Sequence, residues 1–281
     1  MSRRRPGVWG LPGVVHAIIE DVRMTLLSWN VAGRVRRQPE QAELIAELAP
    51  DLVCLQEVRP TSAPAWTAAL RRAGLEHIAL AESGAPAGDT DRRLSVLTAA
   101  RTPLTEIDID GDLPWPERVL ATKTQGLHLV NLHSPISPKP NLVKVRTHET
   151  IHAHLAHAEG PTALCGDLNT PRREHSDGRI WTFARTNRGI LRPERGERWD
   201  QAELALIKGL EPFGFKDAFR TLHGYERREL SWQWQRWGGG YRLDHLIVSA
   251  EVHVEQIEYL HEWRQNAGLS DHSPLLATLD W

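Results

Sequence analysis

The chain has 281 residues, and its 34 Lys and Arg stand against 36 Asp and Glu for a formal charge of −2. A content of 41% hydrophobic and 25% charged residues fits a soluble globular protein, and no apolar run approaches the roughly 20 residues that span a bilayer. Near-neutral charge excludes a polycation, so a nucleic-acid partner would have to be met by local charge.

The first 23 residues, MSRRRPGVWGLPGVVHAIIEDVR, begin with a basic cluster and hold a short apolar patch broken by Pro12, His16, Glu20 and Asp21. That is a poor signal peptide. The segment reads as an appendage or the product of an upstream start codon, and the folded domain is expected over 24–281. MTLLSWNV predicts a buried strand, PEQAELIAELAP a helix with Leu44, Ile45 and Leu48 on its apolar side, and DLVCLQEV a second buried strand. APAWTAALRRAG predicts a helix, EHIALAE and RLSVLTAA strands, and LHLVNLHSP a strand entering a proline-punctuated loop. NLVKVRTHETIHAHLAHAEG predicts a helix ending at Gly160, and PTALCGDLNTP a strand followed by a turn. Two helices, WDQAELALIKGLEPFG and KDAFRTLH, precede the strands LSWQW, YRLDHLIVS, HVEQIEYLHEW and PLLATLDW. Without a repeat, low-complexity tract or linker, the pattern predicts one domain.

Two further features bear on location and partners. Cys54 and Cys165 both sit inside apolar strand-like runs, which predicts reduced core residues and favours the cytoplasm. Between Arg172 and Arg198 there are eight Arg against four acidic residues, a stretch able to follow a phosphate backbone or simply to form a solvated loop.

Polar residues recur where the predicted strands end. Asn30, Glu57, His133, Asp167 with Asn169, Asp244 with His245, and Asp271 with His272 all take such positions. Any one alone reads as a turn residue; together they point to a site built on the ends of a rigid scaffold.

The ordered set SWNV, LQE, LHSP, GDLN, RLDHLIVS and SDHSPL resembles the endonuclease/exonuclease/phosphatase family, and the resemblance covers 24–281. It implies a four-layer α/β sandwich, two mixed β-sheets face to face with helices outside, as in DNase I-like proteins. It also implies Mg2+-dependent hydrolysis of DNA phosphodiesters, with Mn2+ as a substitute, by an enzyme of the exonuclease III or abasic-site endonuclease type. A cytoplasmic monomer without a membrane partner is expected.

By the same resemblance, Glu57 is the main metal ligand, helped by Asn30 and Asp271; oxygen donors of this kind suit Mg2+. Asp167 with Asn169 orients and activates the attacking water. His272, oriented by Asp244, holds the phosphate or acts as acid and base. LHSP is closer to the DNase I type, which makes His133 a second acid, with Glu82 as a conceivable carboxylate partner. The stretch before RLD is closer to exonuclease III, and places Trp232, Trp234, Tyr241 and Leu243 around a substrate pocket suited to bases or deoxyribose. Alternating strand residues such as Trp232 and Trp234 can equally pack in a core. Several relatives carry an acid two residues after the SWN Asn, where this chain has Ala32, leaving a second metal position open.

Three rival readings accompany this one. A phosphomonoesterase or lipid phosphodiesterase could use the same fold, and a silent binding module could use the Arg-rich stretch. A zinc protease is suggested by His148-Glu149-Thr150-Ile151-His152, which fits H-E-x-x-H on a helix. The metzincin continuation fails at Leu155 and Ala158, and a third ligand at Glu174 would fall in a loop directly behind GDLN. His148, His152, His154 and His157 are therefore expected mostly at the surface.

Overall fold

The structure, a computed structural model, describes residues 22–81, 94–137, 139, 141–234 and 238–281. From the first of these the chain makes strand β1 (Arg23–Asn30), helix α1 (Gln38–Leu48), β2 (Leu52–Val58), α2 (Ala63–Arg72), β3 (His77–Leu80) and β4 (Ser95–Ala100). Short β5 (Thr105–Ile107) leads to the hairpin of β6 (Val119–Thr124) and β7 (Leu127–His133), then α3 (Val143–Ala156) and β8 (Thr162–Asp167). After the small ribbon β9 (Arg173–Glu174) and β10 (Ile180–Trp181) come α4 (Gly196–Ile207), β11 (Lys216–Asp217) and α5 (Ala218–His223). A second ribbon, β12 (Trp232–Gln233) and β13 (Gly240–Tyr241), precedes β14 (Asp244–Val248), β15 (His253–Tyr259), α6 (His261–Gln265) and β16 (Leu275–Asp280).

Two six-stranded mixed sheets result, ordered β15-β16-β1-β2-β4-β3 and β11-β14-β8-β7-β6-β5. The strand alternation explains the layers, because successive side chains point to opposite faces. Leu26, Cys54, Leu129, Cys165, Leu246 and Leu275 fill the space between the sheets. Their neighbours Leu27, Val53 and Leu55 face outward onto Ile45 of α1 and Trp66 and Leu70 of α2, while Val130, Leu132 and Leu164 meet Ile151 and Leu155 of α3 and Leu206 of α4. The order helix, sheet, sheet, helix is the expected four-layer sandwich. Cys54 and Cys165 are buried free thiols, as expected.

Several boundaries differ from the sequence expectations. Val22 exchanges backbone hydrogen bonds with Trp281 at 3.0 and 3.1 Å, so the first strand starts ahead of Met24; residues 1–21 lie outside the described residues. Strands β5 and β6 carry no predicted counterpart; β6 joins β7 through Gln125 and Gly126, both at positive φ, the backbone a two-residue hairpin requires. YRLDHLIVS divides into β13 and β14, and the LHEW end of HVEQIEYLHEW turns into α6. No helix among the described residues is long and apolar enough to cross a membrane.

Candidate active site

The polar strand ends meet at one rim of the sandwich. Asn30 ends β1, Glu57 lies one residue before the end of β2, and His133 and Asp167 end the parallel pair β7 and β8. Asp167 sits opposite His133 on one side and opposite Asp244 of β14 on the other. The loop before β16 brings His272 across from the other sheet; it is tied down by Ser270 Oγ donating to the Asn30 carbonyl at 2.6 Å and Trp29 Nε1 donating to the His272 carbonyl at 3.2 Å.

Local backbone features aim these groups. The register of β2 shifts between Leu55 and Val58, and Glu57 adopts φ +61°. That left-handed conformation is costly for a residue with a Cβ, and it takes the carboxylate out of the strand alternation. Gly166, at φ +126°, passes so close to β7 that a Cβ there would meet the Leu132 carbonyl oxygen at 2.1 Å. Asn169, at φ +49°, donates its backbone N–H to Asp167 Oδ1 at 2.9 Å and its Nδ2 to the Ser134 carbonyl at 2.8 Å; a short amide side chain tolerates this backbone better than most.

Asp167 is the hub. Its Oδ2 accepts from Asn30 Nδ2 at 2.9 Å and lies 3.7 Å from His272 Nε2 and 3.9 Å from His133 Nε2. Burial outweighs the nearby His272 charge and, with Asp244 close by, pushes the Asp167 carboxyl up to about 7. His272 Nδ1 donates to Asp244 Oδ2 at 2.8 Å. Burial disfavours the charged His272 ring, but Asp244, then Asp167, overcome it and raise the ring to about 10. Asp244 is itself held by its N–H donating to Ser231 Oγ at 3.0 Å and its carbonyl accepting from Tyr259 Oη at 2.6 Å. His133 Nε2 lies 3.5 Å from Glu57 Oε1. Burial, then Arg118, then His272 push the His133 ring well below its ordinary value, so it is neutral and poorly suited to the acid role expected of it. Its conceivable partner Glu82 lies outside the described residues.

Two groups of donor atoms, Glu57–His133–Asp167 and Asp167–Asp244–His272, are each gathered within 4.8 Å. The hard oxygens and the neutral imidazole of the first set fit a divalent cation; in the second, His272 is already committed to Asp244. Two expected ligands are placed otherwise. Asn30 turns Nδ2 toward Glu57 Oε1, at 3.1 Å, and Asp167, while its Oδ1 accepts from the Ala32 N–H at 2.9 Å. Asp271 belongs to neither group; its Oδ2 accepts from Trp232 Nε1 at 2.9 Å.

The aromatic residues do gather, with Trp232 and Tyr241 stacked 3° from parallel and Trp234 edge-on to both at 5.0 Å. Trp234 is 41% exposed, and a bridge pairs Trp232 with His272, which sets this wall beside the His272 ring. Phe183 extends it, edge-on to Tyr241 at 5.0 Å. Leu243 is only 5% exposed, with its N–H donating to Ser231 Oγ and its carbonyl accepting from the Leu168 N–H.

The histidines of H-E-x-x-H form no metal site. His148 is fully buried rather than at the surface, its Nε2 sharing a hydrogen bond with Ser134 Oγ at 2.7 Å and its Nδ1 donating to the Ala202 carbonyl at 3.1 Å. Glu149 pairs with Arg198, and His152 bonds the Gly209 carbonyl. Of the other two, His154 is half-buried against His128 and His157 is exposed as expected. Glu174 is also spoken for, because Arg220 and Arg242 grip both its oxygens. Part of the Arg-rich stretch is paired with acids: Arg179 with Asp177 inside it, and Arg185 and Arg198 with Asp200 and Glu149 outside it.

One supporting group escaped the sequence reading. Lys144, buried in the first turn of α3, donates Nζ to the Asn169 carbonyl at 2.8 Å and to Glu203 Oε1 at 2.5 Å. Glu203 also accepts from Trp199 Nε1, Thr170 Oγ1 and the Phe183 N–H at 2.7 to 2.9 Å. The pair thus fastens the loop after Asp167 to the loop carrying Phe183. Lys and Glu are rarely buried, and nothing in VKVRTH marks Lys144 as an exception.

A two-sheet sandwich that gathers carboxylates, an amide and a carboxylate-bound histidine at one rim is the architecture of a phosphoester hydrolase. The profile described as Endonuclease/Exonuclease/phosphatase family matches residues 27–272, and the chain belongs to that family. Among solved structures, an AP endonuclease from Archaeoglobus fulgidus superposes with a TM-score of 0.68 at 21% identity, over 90% of this chain and 98% of that one. The 3′ phosphatase NExo from Neisseria, bound to a product DNA hairpin, gives 0.64 at 21% identity over 92% and 100%. A humanized D. rerio TDP2 gives 0.63 at 18% identity over 92% and 98%. At such identities the likeness is one of fold. No curated protein matches the sequence.

Proposed function

We propose that the protein hydrolyses DNA phosphodiesters by cation-assisted attack of water, as an endonuclease or exonuclease of the exonuclease III and abasic-site type. The observation that carries this is the arrangement around Asp167: Asn169 and Asn30 fix its carboxylate, the Asp244–His272 pair faces it at 3.7 Å, and the Trp232 wall adjoins His272. A divalent cation, Mg2+ or Mn2+, held at Glu57 would neutralise the phosphate and favour ionised water. Asp167 orients the water for in-line attack and takes its proton. His272, kept cationic and pointed by Asp244, grips a non-bridging phosphate oxygen where charge builds up. Asn169, with its N–H on Asp167 Oδ1 and its Nδ2 on the Ser134 carbonyl, serves to hold Asp167 and the turn. The exposed face of Trp234, beside Tyr241, offers stacking to a base or a deoxyribose drawn out of the helix. The two buried free thiols suit a reducing compartment such as the cytoplasm.

The test uses the full chain with labelled duplexes, intact or with one abasic site, with a divalent cation or EDTA, and Asp167→Ala as control. Cation-dependent incision at the abasic site, abolished in the variant, is expected. Asp167-dependent hydrolysis of a phospholipid or inositol phosphate, with both duplexes untouched, would retain the chemistry and overturn the DNA substrate.

A further inference from the structure

We propose that His133 is a direct ligand of the catalytic cation, so that Glu57, His133 and Asp167 form a mixed nitrogen and oxygen site that favours Mn2+ or Co2+ over Mg2+. This deepens the cation-assisted reading of the site and rests on it.

The argument starts from distances. His133 Nε2 stands 3.5 Å from Glu57 Oε1 and 3.9 Å from Asp167 Oδ2. Both are too long for a hydrogen bond, whose heavy atoms lie about 2.7 to 3.2 Å apart. They fall within the span set by a shared cation: ligands at about 2.1 Å are about 3.0 Å apart when adjacent and about 4.2 Å apart when opposite. All three donor atoms lie within 4.8 Å of one another. His133 is 1% exposed, so water cannot solvate Nε2 in place of a partner. The other side of the ring is no rival for Nε2: Arg118 Nη1 stands 3.4 and 3.5 Å from Nδ1 and Nε2, nearly equidistant, which places it alongside the ring rather than in line with one nitrogen.

Of the other expected donors, Asn30 Oδ1 accepts the Ala32 N–H and Asp271, whose Oδ2 accepts from Trp232, lies outside both donor groups; Asn30 Nδ2 bridges Glu57 Oε1 and Asp167 Oδ2 at 3.1 and 2.9 Å, a contact the cation replaces. What remains is two carboxylates and one imidazole. Mg2+ prefers oxygen ligands and keeps much of its water, whereas an imidazole strengthens binding of first-row transition cations in the order of their affinity for nitrogen. His272 is the other histidine in these donor groups, but its Nδ1 is bound to Asp244 at 2.8 Å.

The test is electron spin-echo spectroscopy of Mn2+ bound to the full chain without nucleic acid, with calorimetric titration of Mn2+ and Mg2+. The wild-type protein is expected to show nitrogen modulation from one imidazole, changing to the 15N pattern when its histidines are 15N-labelled. His272→Gln keeps the modulation and His133→Gln loses it; the latter also raises the Mn2+ dissociation constant by about tenfold or more while changing that of Mg2+ about threefold at most. No modulation in the wild type, modulation surviving in His133→Gln, or modulation lost in His272→Gln would each overturn the proposal. If His133→Gln fails to fold, the labelled wild type and His272→Gln decide it between them. A protein that binds Mn2+ through His133 but cleaves no DNA would leave this inference standing and overturn only the substrate reading.

Discussion

Replacing Lys144 with Met takes one charge out of a pair whose side chains are 1% and 0% exposed. Glu203 keeps three neutral donors, Trp199 Nε1, Thr170 Oγ1 and the Phe183 N–H, but loses its only cation within bonding distance among the described residues. Breaking a buried ion pair from one side costs about 3–5 kcal/mol, because the remaining charge is neither solvated nor paired. For a domain of this size roughly 2 °C in Tm accompanies each kcal/mol, so Tm should fall by roughly 6–10 °C. Lys144→Met/Glu203→Gln removes both charges and should recover most of that loss, since desolvating an ion pair consumes much of its own attraction. Urea unfolding at neutral pH, followed by tryptophan fluorescence, measures both variants against the parent chain. A single variant within about 1 kcal/mol of the parent, or a double variant as unstable as the single one, would refute the buried-charge argument.

Three further outcomes follow from the geometry. Glu57→Gln should lower kcat/KM on the cleaved duplex by about 100-fold or more, equivalent to about 3 kcal/mol of lost cation assistance, with Tm little changed; steady-state kinetics at saturating cation checks it, and an unaltered rate would remove Glu57 from the metal site. Trp234→Ala should weaken binding of duplex carrying an abasic site by about 1–3 kcal/mol, read by fluorescence anisotropy, because the ring is 41% exposed and free to stack. The third concerns acid. Burial, then the nearby Lys144, push the His148 ring down to about 3, whereas an unfolded histidine titrates near 6.5. The unfolded chain therefore takes up a proton first as pH falls, and stability is lost from about pH 6.5 downward, reaching about 2 kcal/mol at pH 5. His148→Gln should remove that part of the pH dependence between pH 7.5 and 5, and identical slopes in the two proteins would contradict it.

The sequence exposed the fold where one rule acted alone. Alternating or continuous apolar runs gave β1, β2, β7 and β8, whose inner and outer faces are both covered. Short β5 buries too little to leave such a signature, and β6, though buried at all but Lys123, mixes its few apolar residues with Thr122, Lys123 and Thr124 and so shows no apolar run. The residues at strand ends were legible because Asn30, Glu57, His133, Asp167, Asp244 and His272 keep their chemistry whatever their environment, and an ordered set of motifs ties them together. Orientation was not legible. Which way the Asn30 amide turns depends on the Ala32 N–H, and where Asp271 points depends on Trp232, contacts made by the folded loops alone. Burial of polar residues was equally hidden: His148, read as a surface residue, and Glu174, read as a conceivable ligand, prove to be enclosed with their own partners, as does Lys144, which nothing in the sequence singled out.

Strand β16 lies between β15 and β1, and the loop just ahead of it carries His272. The chain lays down four of the six strands of the first sheet, builds the whole second sheet, and only then returns to finish the first. During synthesis, Asp167 and Asp244 are in place long before their histidine can reach them. Until residues 275–280 have left the ribosome, β1 lacks its neighbour on one side and Asp244 lacks the imidazole it holds, so the rim is completed only at the very end of synthesis.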